Sequence, residues 1–256
     1  MVPLFTNIAR QCARFFPGIR DTALLSALQG YMGGVEADDP EDIRLIVARC
    51  GGYLYFGGDP AHPQAGTVIR GAEAGTHLVS LEKAWVARFH EELGERGVGE
   101  TRYRVKREMS RLDPAHLRAL CALPEGFSLV QADETVAQAL WDADWSGKYV
   151  RQFASARDLV ERGFAFAVRQ GRDIASMGCT FSIYDEGMEL GIATNPAYRR
   201  RGLATAAAAR TALEALRRGW ELNWDAANPI SLHLAGKIGF EPDDEYEAVL
   251  VKETLE

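Results

Sequence analysis

Apolar positions in the first half of the chain recur mostly at helical spacing. Phe5, Ile8, Cys12, Phe15 and Ile19 fall on one stripe, with Arg10, Arg14 and Arg20 beside it, which predicts a folded amphipathic helix. Asp39-Pro40-Glu41-Asp42 has the form of a helix start: an acidic cap, a proline in the first turn and acids at the positive end of the dipole. Ile43, Ile46 and Val47 supply its apolar face, and Gly51-Gly52 its stop. Residues 53–56 read as a strand closed by the turn Gly57-Gly58-Asp59-Pro60, and residues 76–79 as a second strand. Ser80 caps a predicted helix with Leu81, Trp85, Phe89 and Leu93 on one face. Residues 102–107 alternate basic with apolar side chains, a pattern that suits contact with phosphate but more commonly an exposed strand or connector, and residues 116–123 read as a short linking helix.

The second half alternates element types. Strand is predicted over 127–132, helix over 135–141 and 156–162, and a hairpin over 164–169 and 174–184 around Gly171-Arg172-Asp173. A strand over 188–194 leads to a long helix over 202–218. A strand over 220–224, a helix over 231–237 and a last strand over 246–251 follow. Several strands precede the first strand–helix–strand crossover, so the expected class is α+β: a mixed sheet flanked by helices, preceded by a smaller, largely helical N-terminal domain. Pro124-Glu125-Gly126 marks the expected boundary, giving an accessory domain at 1–122 and a second domain at 123–256.

Composition adds limits. The chain has 256 residues, 47% hydrophobic, enough for one large or two small cores. A net charge of −7 argues against nucleic acid as the partner, since phosphates call for a basic face. Cys12, Cys50, Cys121 and Cys179 are far apart with no C-x-x-C pair, so neither a metal site nor a disulfide framework is expected. No apolar run reaches the length of a membrane span. The arginines beside the N-terminal stripe fit a transit peptide, but hydroxyl residues are scarce there, and a cytoplasmic protein is expected. The phosphate loop of nucleotide hydrolases, H-E-x-x-H and G-x-S-x-G are all absent.

The stretch 188–224 carries the chemistry. A strand ends at Thr194, Asn195-Pro196 turns the chain, and Tyr198-Arg199-Arg200-Arg201-Gly202-Leu203-Ala204-Thr205 runs into an alanine-rich helix. The first N–H groups of a helix have no internal partner and face outward, a natural seat for an anion. Gly202 lets a diphosphate approach the backbone, and three arginines add positive charge. About one helix and one strand later comes a second segment, Asn228-Pro-Ile-Ser231-Leu-His-Leu234-Ala-Gly-Lys237-Ile-Gly239-Phe240.

Together these segments resemble the GNAT superfamily of N-acyltransferases. Arg199, Gly202 and Ala204 match its [QR]-x-x-G-x-[GA] loop. Asn228, Ser231, Leu234, Lys237, Gly239 and Phe240 match its second motif, and the run 192–208 resembles a bacterial GNAT family with an additional N-terminal domain. The resemblance covers about residues 125–253 and implies a GNAT-like fold that binds acetyl-CoA. It implies that Ile192, Ala193 and Thr194 offer backbone groups to pantetheine. Arg199, Arg200, Arg201, Gly202, Leu203, Ala204 and Thr205 would hold the diphosphate. Asn228 would bond the pantetheine arm, and Lys237 would lie near the nucleotide phosphates.

The implied reaction is direct attack of a primary amine, from a small molecule or a protein, on the thioester in a ternary complex. An alkylammonium has a pKa of about 10.4 and must lose a proton first. Glu189 is the candidate base, and Asp225, at the end of the opposite strand, a second one for base or amine anchor. Many family members carry a tyrosine where this chain has Ala235; Ser231 or a water would stand in as the acid for the leaving thiolate. His233 is read as a surface or packing residue. Trp141, Trp145, Tyr149 and Phe153, close to helical spacing, are read as core packing or as the wall of an acceptor pocket. Ala235 keeps open a non-catalytic acyl-CoA-binding sensor or scaffold, and the cofactor motifs allow a longer acyl chain. The expected partners are acetyl-CoA and an amine, with no metal, nucleic acid or membrane and room for a homodimer.

Overall fold

The computed structural model describes residues 1–253. Two compact units are formed: Met1–Arg102 together with the chain from Glu245 onward, and Tyr103–Asp244. Residues 103–122 thus belong with the second unit.

In the first unit, strands Gly34–Ala37, Leu45–Cys50 and Tyr53–Gly58 pair antiparallel in turn, and His77–Val79 adds in parallel beside Tyr53–Gly58. The helix expected after Asp39 is therefore corrected to a strand. Asp39 does cap, but locally: its carboxylate accepts from the Glu41 N–H at 2.9 Å. Asp38 accepts from Arg44 and Leu45 N–H at 3.0 and 2.9 Å, which delivers the chain extended into Leu45. Leu45, Ile46, Val47 and Ala48 are all fully buried, the mark of a strand covered on both faces and not of a one-sided helix. Gly51-Gly52, read as a helix stop, is the hairpin turn between the paired Cys50 and Tyr53, with Gly51 at φ 56°. A sheet thus replaces much of the helix expected in this half.

The N-terminal stripe forms only the short helix Thr6–Ala9 and a 3-10 segment Arg10–Phe15. The helix Lys83–Leu93 buries Trp85, Phe89 and Leu93 as its spacing predicts. Trp85 and Phe89 pack with Phe56 at ring-centroid distances of 5.3 and 5.0 Å.

The second unit is built on a five-stranded sheet in the order Glu221–Asn223, Gly187–Thr194, Asp173–Tyr184, Ala165–Gln170, Phe127–Gln131. All pairs are antiparallel except Gly187–Thr194 with Glu221–Asn223, the product of the crossover through helix Leu203–Arg218. This confirms the mixed sheet and the α+β class. Ala206, Ala207, Ala208, Ala209 and Ala212 of that helix are fully buried. A Cβ on Gly178 of the central strand would stand 2.4 Å from Thr211 Oγ1. Small residues on both sides let helix and sheet approach closely. Trp141 and Trp145 do not share a helix with Tyr149: one helix covers Glu134–Asp142 and another Gly147–Val150. Phe153 is buried, while Trp141, Trp145 and Tyr149 are half-buried.

Candidate active site

Strand Gly187–Thr194 pairs with Asp173–Tyr184 along its whole length, through a bulge between Glu189 and Leu190. On its other side it pairs only at Gly187↔Glu221, Met188↔Leu222 and Glu189↔Asn223. Two residues after Asn223 the chain has changed partner: Asp225 and Ala226 pair antiparallel with Arg104 and Tyr103. The strand from Leu190 to Thr194 is left without a ladder on that side, and its backbone groups there are open to an extended ligand.

The open strand leads directly to the arginine loop. Ser176 Oγ lies 2.9 Å from the Ala193 carbonyl and 2.8 Å from Thr194 Oγ1, fixing the strand end. Asn195 caps the turn Pro196–Tyr198 through the Ala197 N–H at 3.1 Å. Arg200 then takes φ 63°, the one positive φ outside glycine among the described residues, and Gly202 takes φ 78° as the helix cap. Such left-handed residues turn successive N–H groups toward one point. A Cβ added at Gly202 would meet nothing within 4 Å, so the space before the helix is open. Arg199, Arg200 and Arg201 are exposed, and Arg201 rests 5.5 Å from the Tyr198 ring. The Leu203 side chain is buried with Val168, Ala175 and Ala207, which anchors the helix start and leaves only its main chain for a ligand. Ala204 and Thr205 are half-buried on the first turn. The loop fits an extended thioester with a diphosphate: an unpaired edge for amides, then a cationic turn on a helix N-terminus.

Glu189 is 6% exposed. Its Oε2 accepts from Asn223 Nδ2 and its Oε1 from the Asp225 N–H, both at 2.6 Å. Asn223 Oδ1 accepts from Arg107 Nε at 3.2 Å. The Glu189 carboxylate and the Asp225 main chain are thus brought together where the strands part. Beside them, burial pushes the Tyr184 phenol up, as does its 2.8 Å hydrogen bond to Glu221.

Ser231 accepts from the Trp224 indole N–H at 3.1 Å, which leaves its own O–H to donate. Asn228 Oδ1 is committed to the helix cap, accepting from Ser231 N–H at 2.9 Å, so only its amide NH2 remains for a ligand. Lys237 sits two turns further along helix Pro229–Ile238, exposed, with its carbonyl taken by His116 at 2.8 Å. Ala235 is fully buried among Trp224, Ile238 and Phe240, and His233 is exposed. Sequence reasoning missed Asn223 and Arg107. An asparagine inside an apolar strand was the available signal, since strands disfavour it.

A parting strand pair feeding a cationic turn and a close-packed helix defines the N-acetyltransferase class. A family model described as GNAT acetyltransferase matches residues 13–249, and the chain belongs to that family. YdfB of Bacillus subtilis, an uncharacterised N-acetyltransferase, is 29% identical over 151 residues, 56% of this chain and 55% of YdfB. The chain therefore spans about half the length of this curated relative. A GCN5-related N-acetyltransferase-like protein from Streptococcus suis has a TM-score of 0.89 at 28% identity, covering 96% of this chain and 99% of its own. A GCN5-related N-acetyltransferase from Kribbella flavida shares the fold at a TM-score of 0.53 and 20% identity, over 82% of this chain and 88% of its own.

Proposed function

We propose that the chain transfers an acetyl group from acetyl-CoA to a primary amine by direct attack in a ternary complex. The observation that carries the reading is the open edge from Leu190 to Thr194 running into the left-handed turn Arg200–Gly202. Ile192, Ala193 and Thr194 would pair with the pantetheine amides. N–H groups of the turn and first helical residues would hold the diphosphate, with Arg199, Arg200 and Arg201 adding charge. One strand N–H would face the thioester carbonyl as negative charge develops on its oxygen. The Asn228 amide NH2 and Lys237 are assigned to the pantetheine arm and the nucleotide phosphates.

Glu189 would take the amine proton, directly or through a water, with Asp225 as anchor of the incoming ammonium. The Ser231 hydroxyl would donate to the leaving thiolate; a thiol with a pKa near about 8.5 also leaves tolerably unassisted. The N-terminal unit is assigned as an accessory domain.

The test is thiol release from acetyl-CoA against polyamines, aminoglycosides, amino acids and lysine peptides, with CoA binding measured by calorimetry on the same sample. Binding with turnover on one amine class supports the reading and names the acceptor. The buried Ala235 favours a second reading, a non-catalytic acyl-CoA sensor. Binding without turnover on any amine would select it, and no binding would remove both.

A further inference from the structure

The Glu189 carboxylate is held by a side chain that itself has only one workable orientation. Arg107 Nε is a donor, so the Asn223 atom 3.2 Å from it must be the amide oxygen. That choice turns the amide NH2 to Glu189 Oε2 at 2.6 Å. On the other carboxylate oxygen, the Asp225 main-chain N–H is fixed by the strand pairing Asp225↔Arg104. Both Glu189 oxygens therefore receive N–H donors, which an ionised carboxylate accepts best. Asn223 is 7% exposed and Glu189 6%, so the contact is little screened by solvent.

We infer that Asn223, oriented by Arg107, is the positioning residue that holds Glu189 for proton transfer. This rests on the reading of Glu189 as the base. Several charged or polar groups lie on the strands around the carboxylate, among them Arg104, paired opposite Asp225 and bound to Asp244. Arg107 brings a cation; its guanidinium also lies 5.7 Å from the Tyr184 ring. Asp225 and, two residues before Asn223, Glu221 bring anions, and Ser182 stands opposite Glu189 on the neighbouring strand. Without the Asn223 NH2, Glu189 keeps its acidic neighbours but loses a donor, and protonation becomes easier.

The decisive measurement is a carbon-13 NMR titration of the Glu189 carboxyl in the full chain. The signal is assigned through Glu189→Gln and compared in wild type, Asn223→Ala, Arg107→Ala and Arg107→Lys. In Asn223→Ala the midpoint is expected to rise by about one pH unit. Arg107→Ala is expected to shift it the same way by less, and Arg107→Lys, which still donates to Oδ1, to restore it. Arg107 lies outside the strand core, so its variants remain informative where Asn223→Ala fails to fold. With the amine found in the acceptor panel, kcat of Asn223→Ala is expected to fall at least about tenfold while CoA affinity stays within about twofold. Midpoints unchanged in both Asn223→Ala and Arg107→Ala would overturn the inference. Full turnover by Glu189→Gln would instead remove the base reading, and the titration would still decide whether Asn223 governs the carboxylate.

Discussion

Glu189 and Asn223 are the last paired residues of two parallel strands, and a 2.6 Å hydrogen bond joins their side chains where the strands part. The parting has a covalent cause close by. Asp225, two residues beyond Asn223, is already paired with Arg104 of another strand. From Asp225 the chain runs beside Arg104 and Tyr103 and no longer beside Leu190–Thr194, so the edge from Leu190 onward stays open. The candidate base and the candidate thioester edge are thus set by one change of strand partner.

Gly202→Glu is expected to abolish CoA binding by calorimetry. A Cβ at Gly202 would meet no protein atom within 4 Å, so the new side chain can enter the space before the helix, bringing bulk and negative charge against the diphosphate. Its left-handed backbone adds a cost of about 1–2 kcal/mol, visible as a small drop in Tm. Unchanged CoA affinity would sink the loop assignment.

Glu189→Gln is expected to keep CoA affinity while turnover falls about 100-fold near neutral pH. The deficit should narrow as pH approaches the amine's own value of about 10.4, where free amine needs no base. A pH–rate profile of constant ratio to wild type would clear Glu189 of the role.

Ala235→Tyr tests whether the family's tyrosine can be restored. The position is fully buried against Trp224 and Phe240, so the larger ring should cost about 1–3 kcal/mol in urea denaturation and leave turnover no higher. A faster enzyme of wild-type stability would mean the ring reaches the cleft.

Gly178→Val probes the close approach of helix and sheet. A Cβ there would lie 2.4 Å from Thr211 Oγ1 and 2.8 Å from the Ala207 carbonyl. The expected loss is about 1–3 kcal/mol of stability, and a variant as stable as wild type would show that this interface yields easily.

Glu214 gives a pH dependence. Hydrogen bonds from Arg217, then from Arg218, lower its pKa to about 2. A depressed carboxylate adds stability above its unfolded value of about 4.5, and the contribution is lost as pH falls through about 2. The carboxylate is 4% exposed but Arg217 is 70% exposed, so screening trims the contribution to about 1–2 kcal/mol. Glu214→Gln should lower the melting temperature at pH 7, with the gap from wild type shrinking between pH 5 and about pH 2. A gap independent of pH would assign the loss to packing.

The sequence by itself determined the succession of strand, arginine turn and alanine-rich helix, because each is written in neighbouring residues. Small side chains let the helix lie close, and Gly202 and Asn228 stand where the two helices begin. It equally gave the apolar face of Trp85, Phe89 and Leu93. It misled over 39–52, where capping chemistry and apolar spacing suit a helix, and only the neighbouring strands, by burying both faces over residues 45–48, made it extended. The surroundings of Glu189 were beyond any local pattern. Asn223 lies 34 residues away and Arg107 another 116 from Asn223. Periodicity shows which way a side chain faces, whereas the identity of its partner is decided by how distant strands register, which only the folded sheet fixes.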